Sequence, residues 1–201
     1  PGHGTSPDQL NQVSVDDTIA FVQQAYETLA RQCVTVCVAG ESMGALLALY
    51  LAATNPDIES VMAYSPVLKL VGADTLWQRM KVIVASWMFT SVAKSDLTQE
   101  HAHQVYRVRP MQAMVALLSF QQRVLAVLPT IQQPVLLIEG QADNLLVPGS
   151  VMELSKALSA SVLTYHSVPS GTHILLLGKD WPLVRQLTHE FVDSLRQKNV
   201  A

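Results

Sequence analysis

Charge is scarce in this chain. Asp, Glu, Lys and Arg together make up 14% of its 201 residues, and the net charge is only −3. A protein that holds nucleic acid through phosphate contacts needs a basic face, so no nucleic-acid partner is expected. Cysteine is nearly absent: Cys33 and Cys37 are the two. Four residues apart on an extended strand, at about 3.3 Å per residue, they lie about 13 Å from each other and cannot bridge. Read as free, buried thiols they suit a reducing compartment, and the cytoplasm is the expected one. With no His or Cys at ligand spacing beside them, neither a metal nor a cofactor is expected. Long hydrophobic runs are missing too. None approaches the roughly 18–20 residues that span a bilayer, and Val82 to Phe89, the most apolar exposed candidate, is too short. The start of the chain, Pro1-Gly2-His3-Gly4, carries no signal-peptide pattern. Internal repeats and low-complexity tracts are absent. What is present is apolar: hydrophobic residues make up 49%. That supplies a sizeable core, argues against disorder and fits one domain, with room for an excursion.

The stretch that organises the chain is Val34 to Leu51, VTVCVAGESMGALLALYL. Val34 to Ala39 reads as a fully buried strand. It breaks at Gly40-Glu41-Ser42-Met43-Gly44, and a helical apolar pattern starts at once with Ala45, Leu46, Leu47, Ala48, Leu49 and Leu51. A bare G-x-S-x-G also occurs by chance as an ordinary strand-to-helix turn. Between a buried strand and an apolar helix it reads as a nucleophile elbow, in which Ser42 projects from a sharply turned backbone. Gly40 and Gly44 leave room for strand and helix to approach closely. The first N–H groups of the new helix point back at Ser42, and that of Met43 can stabilise an oxyanion there.

Taken in order, Pro1 to Pro7 is a turn-rich loop. Asp16 or Asp17 can cap a helix through Ile19, Phe21, Val22, Tyr26 and Leu29. The elbow helix ends at Asn55-Pro56. Ile58 to Tyr64 is a second buried strand, closed by Ser65-Pro66. From 67 to about 133 helical periodicity dominates, rich in Trp and Met, with no strand signal. Such an excursion between two buried strands reads as a cap or lid (67–133) inserted in an α/β core (1–66 and 134–201). Helices merely covering one sheet face are the plainer alternative. Exposed Met and aromatic side chains over a pocket would suit an apolar substrate. Val135 to Ile138 is the third strand, ending in the polar loop Glu139 to Asn144. Val151 to Leu158 is a helix and Val162 to Val168 a fourth strand. The loop Pro169 to His173 follows, and a helix from about Trp181 to Gln197 closes the chain. Strands alternating with helices predict a parallel sheet with both faces covered.

In open parallel sheets, sites form beyond the carboxyl ends of the strands. Ser42, Asp143 and His173 each fall just after one. A hydroxyl nucleophile needs a base, and the base needs a carboxylate that orients it and stabilises the imidazolium. The order Ser, Asp, His is that of the α/β-hydrolase solution. Each position has competitors. His166 lies within a strand, and His189 sits on the solvated face of the last helix. His101 and His103 form a surface pair without an evident third metal ligand. Glu139, at a strand end, and Asp180, after His173, rival Asp143, which is preferred because a loop lets its carboxylate reach a neighbouring loop. Glu41 is expected to shape the pocket wall or pair locally.

The segments PGHGTSP (1–7), VAGESMGALLALYLA (38–52), YRVRPMQAM (106–114), PVLLIEGQADNLLVP (134–148) and SGTHILLLGKD (170–180) resemble a serine α/β-hydrolase. The closest group is that of the carboxylesterases and monoacylglycerol lipases. The resemblance implies Ser42 as nucleophile, Asp143 as acid and His173 as base. It implies a cap over 67–133 forming an acyl-binding tunnel, and hydrolysis of a small-molecule ester of an apolar acyl group without cofactor or metal. A different acyl acceptor, C–C bond hydrolysis, or a degenerate fold that binds an apolar ligand or a partner without turnover are the rival functions. Members of the group carry further strands ahead of the PGHG-like loop, one followed by an H-G motif that supplies the second oxyanion N–H. The α/β-hydrolase fold expected here is therefore N-terminally incomplete, with an exposed apolar sheet edge. A missing N-terminal fragment or a homodimer is the partner expected to cover it.

Overall fold

The computed structural model describes residues 1–94, 106–158 and 163–198. His101 and His103, and Val162 at the expected start of the fourth strand, lie outside them. The central sheet has four parallel strands: β1 (Val36–Glu41), β2 (Ile58–Tyr64), β5 (Val135–Gly140) and β6 (Leu163–Val168), in the order β1-β2-β5-β6. Between β2 and β5 lie the helices α4 (Leu76–Met88) and α5 (Met111–Val127). The same segment holds a short antiparallel ribbon of β3 (Ser91–Ala93) and β4 (Val108–Pro110), which the sequence did not signal. Three-residue strands are too short to show a period, so their pattern is lost in the helical one around them.

Side chains on the inner strands alternate between two cores. Val61 and Ala63 of β2 and Val135 and Leu137 of β5 face α3 (Met43–Thr54), α5 and α6 (Ser150–Ala157), with α2 (Val15–Ala30) packed outside. Met62, Tyr64, Leu136 and Ile138 face the other way, against Val184, Phe191 and Leu195 of α7 (Trp181–Lys198). Helix α3 is buried almost all round, through Ala45, Leu46, Ala48, Leu49, Leu51 and Ala52, which makes it the core helix of the larger side. The α7 face stops short of β1. There Val36 and Val38 pack inward, while Cys37 and Ala39 on the opposite face are exposed. Both cysteines are therefore free and exposed rather than buried, Cys33 because it lies in the turn after α2. Strand β1 also begins later than the apolar run suggests, and Val34 is fully exposed.

Local capping differs from the expectation in one place. Ser14, not Asp16 or Asp17, caps α2; Asp17 is its reciprocal partner three residues on, each side chain holding the other's backbone N–H. A short helix, α1 (Pro7–Asn11), capped by Ser6, occupies the end of the loop-like start. Helix α5 continues through a 3-10 turn, Leu128–Thr130. The 20-residue stretch Met111–Thr130 has a mean hydropathy of 1.3, long and apolar enough to cross a bilayer by those two measures. No uninterrupted apolar run exists there, because Gln112, Gln121, Gln122 and Arg123 punctuate it. In the fold its Leu118, Phe120, Val124 and Leu128 sit in the core beside α3.

Within the 67–133 segment a buried side chain ties distant parts together. Gln121 is fully buried on α5; its Nε2 donates to the Val67 carbonyl at 2.7 Å, and its Oε1 accepts from Arg79 at 3.0 Å. Replacing Gln121 with Leu orphans the Val67 carbonyl and strips the guanidinium of a partner. The expected cost is about 1–3 kcal/mol, the usual penalty for a buried group left unsatisfied. It is read as a lower midpoint in urea unfolding.

Candidate active site

Ser42 sits where β1 turns into α3, with φ 58° and ψ −117°, a conformation that non-glycine residues seldom adopt. Its neighbours enforce it. The Ser42 N–H donates to the Tyr64 carbonyl at 2.9 Å, extending the β1–β2 ladder, and the Ser42 carbonyl accepts from Ala45 N–H at 3.2 Å. A Cβ on Gly40 would lie 2.1 Å from the Gly44 carbonyl oxygen, so strand and helix close the turn only because residue 40 has no side chain. The elbow expected from the sequence is thus present as backbone geometry. Met43 opens α3, and its N–H belongs to the first turn, whose donors have no intrahelical acceptor.

Asp143 and His173 come from the loops after β5 and β6. These loops are laced together: Ala142 N–H donates to the Gly171 carbonyl at 2.9 Å, and Gln141 N–H to the Val168 carbonyl at 2.9 Å. A Cβ on Gly140 would lie 2.2 Å from the Gly171 oxygen, so this crossing also needs a bare glycine. His173 Nδ1 lies 2.7 Å from Asp143 Oδ2, and His173 Nε2 lies 2.8 Å from Ser42 Oγ. The second carboxylate oxygen, Asp143 Oδ1, accepts from Leu145 N–H (2.9 Å) and Leu146 N–H (3.2 Å). The Asp143 side chain is 3% exposed and that of His173 12%. With Nδ1 protonated towards Asp143, Nε2 is left as the acceptor facing the Ser42 hydroxyl.

The rival residues are engaged elsewhere. Glu139 accepts a hydrogen bond from the Tyr165 hydroxyl, and Tyr165, pushed up to about 12 chiefly by burial and then by that carboxylate, stays protonated. Asp180 accepts from Ser170 at 2.7 Å. His166 is half-buried within β6, and His189 is exposed on α7. Glu41 pairs, but not locally: its Oε1 accepts from Leu175 N–H at 2.6 Å and Leu176 N–H at 2.9 Å. Sequence reasoning had no signal for that bond, since nothing local to a carboxylate points to an N–H donor 134 residues away. Among the described residues no group of three or more His, Cys, Asp or Glu is placed to hold a metal ion.

A parallel sheet covered by helices, with this elbow and these two loops at the carboxyl ends of its strands, is an α/β-hydrolase fold. The chain belongs to the family described as serine aminopeptidase, S33, whose model matches residues 1–180. A thermostable monoacylglycerol lipase from Bacillus sp. (strain H-257) is 25% identical over 191 residues, covering 94% of this chain and 75% of that protein. Among solved structures, one from the metagenome-derived lipolytic enzymes LipS and LipT superposes with a TM-score of 0.81 at 19% identity, over 98% of this chain and 79% of that one. The monoacylglycerol lipase of Paleococcus ferrophilus superposes with a TM-score of 0.76 at 21% identity, over 96% and 80%.

Burial by itself would raise the Asp143 carboxyl, but the His173 hydrogen bond and charge and the Leu145 and Leu146 N–H groups outweigh it, and its pKa lies below the usual value. A carboxyl lowered on folding adds stability that is present in full above its unfolded value, about 3.9, and is lost as pH falls through the lower folded value. Native protein should therefore lose stability relative to Asp143→Asn as pH drops from about 5 into that acid range. Urea midpoints of the two proteins measured across the window check it; parallel curves would contradict the electrostatic assignment.

Proposed function

We propose that this chain is a serine-dependent carboxylic ester hydrolase of the esterase and monoacylglycerol lipase kind, acting on esters of apolar acyl groups. The observation that carries the reading is the hydrogen-bonded chain Ser42–His173–Asp143, at 2.8 and 2.7 Å, with Ser42 on a strained elbow. Ser42 is the nucleophile. Its Oγ attacks the ester carbonyl while its proton passes to His173 Nε2. Asp143 holds the imidazole in the right tautomer and stabilises the imidazolium. The Met43 N–H donates to the developing oxyanion. His173 then returns the proton to the departing alcohol, leaving an acyl-enzyme on Ser42. A water, deprotonated by His173, attacks that acyl carbon; the acid leaves and Ser42 recovers its proton.

The substrate class is supported by the relatives and by the segment between β2 and β5, which we infer to be a cap over the site. Its helix α4 carries Leu76, Trp77, Met80, Val84, Trp87 and Met88 exposed, a surface suited to apolar chains rather than to charged ones. The family's description names an aminopeptidase and the relatives are lipases, so the bond cleaved is the point to test.

A fluorophosphonate should add one adduct to the native chain and none to Ser42→Ala, read by intact mass. Turnover of a medium-chain monoacyl ester should fall by about 10⁴–10⁶-fold in that variant. The matched amide should be cleaved far more slowly than the ester. An unlabelled native chain that is shown to be folded, or preferred cleavage of the amide, would overturn the reading.

A further inference from the structure

Glu41 stands between the nucleophile and the loop that carries the base. It is the last residue of β1, directly before Ser42, and it contributes nothing to the chain of bonds just described. Strands β1 and β6 are the two edges of the four-stranded sheet. The segment after β6 must therefore cross the ends of β5 and β2 before His173 can reach Ser42. Asp143 meets this crossing at the His173 ring. It is also met by Glu41, whose Oε1 accepts from the N–H groups of Leu175 (2.6 Å) and Leu176 (2.9 Å), two and three residues past His173. The Leu175 side chain is buried in the core under α7, which removes its backbone from easy access to water. A carboxylate oxygen accepting two N–H bonds is a charge-assisted and correspondingly strong tie. Because residues 41 and 42 share one peptide bond, this tie references the base loop to the nucleophile's own backbone.

We propose that Glu41 is a positioning residue: by holding the Leu175 and Leu176 N–H groups, its side chain sets the distance from His173 Nε2 to Ser42 Oγ. The catalytic consequence rests on the function proposed above; the clamp itself rests on the geometry alone. What the clamp requires is an oxygen acceptor at the reach of Glu. Glutamine retains it, aspartate falls a methylene short, and alanine removes it.

The experiment compares native protein with Glu41→Gln, Glu41→Asp and Glu41→Ala in three readouts: kcat and KM on a monoacyl ester, the rate of fluorophosphonate labelling, and hydrogen exchange at the Leu175 and Leu176 amides. Misplacing a base by about 1 Å costs on the order of 10²-fold, so Glu41→Ala should lower kcat and the labelling rate by about that factor. KM should stay within about twofold, because a transition-state interaction is what is lost. Glu41→Gln should recover to within about tenfold of native, and Glu41→Asp should not. Exchange at the two amides should quicken in the Ala and Asp variants and stay slow in the Gln variant. If Glu41→Ala does not fold, the Gln and Asp pair decides the matter by the same readouts. A Gln variant as impaired as the Asp variant overturns the proposal, as does unchanged amide protection in the Ala or Asp variant. If native protein neither labels nor turns over, the proposed function falls, and the amide exchange still decides the clamp.

Discussion

At Ser42 the chain reverses from strand to helix within one residue, and the backbone there is held at φ 58°. A conformation of that kind costs about 1–3 kcal/mol and persists only where the surroundings over-determine it. They do so here from three directions. Gly40 lies against the Gly44 carbonyl at a distance no Cβ could share. The Tyr64 carbonyl takes the Ser42 N–H, so the turn is pinned to the second strand. Helix α3, which leaves the turn, is buried on nearly every side and cannot shift without opening the larger core. The stability of the whole α3 layer therefore maintains the strain that exposes one hydroxyl.

The same logic governs the other half of the site at a lower local cost. Among the described residues between Gly140 and His173, none but a glycine has a positive φ; what is needed is close approach. Gly140 and Gly171 let the two loops touch, and the Ala142 and Gln141 N–H groups bind them. Asp143 then serves two ends at once. One oxygen orients His173, and the other is fixed by Leu145 and Leu146 N–H groups, so the carboxylate cannot swing. A buried anion so surrounded is stabilised by its partners more than burial penalises it, and the lowered pKa records that balance.

The segment between β2 and β5 is bound to the start of the chain by polar contacts. Tyr106 donates to the Gly2 carbonyl and accepts from Thr5 N–H. Asn11 donates to the Thr90 carbonyl and accepts from the Gln112 and Ala113 N–H groups, capping α5 from another helix. Arg123 pairs with Asp16, an exposed contact that adds little by itself. The ribbon β3–β4 lies within this same tied segment. These contacts tie the segment to α1 and α2, and the apolar side chains of α4 stay exposed.

Much of this was legible in the residues alone. Strand β2 and strand β5 stand out as apolar runs because both of their faces are buried, and a parallel sheet with helices between its strands follows from that alternation. Gly40, Ser42 and Gly44 announce the elbow as a motif between strand and helix, although in the fold only Gly40 has no room for a side chain, while a Cβ at Gly44 would meet nothing. Asp143 and His173 were found by their places after strands, and the structure sets His173 against Ser42 and Asp143 against His173. Other features had no trace in sequence. The exposure of Cys37 depends on where α7 ends its coverage, and the cap of α5 on Asn11 a hundred residues away. Sequence by itself determined the order of elements and the chemistry available after each strand, because periodicity and turn residues act over a few positions. Only the tertiary structure decided which carboxylate meets the histidine and what Glu41 holds, because those depend on loops crossing above a sheet whose strand order no local pattern encodes.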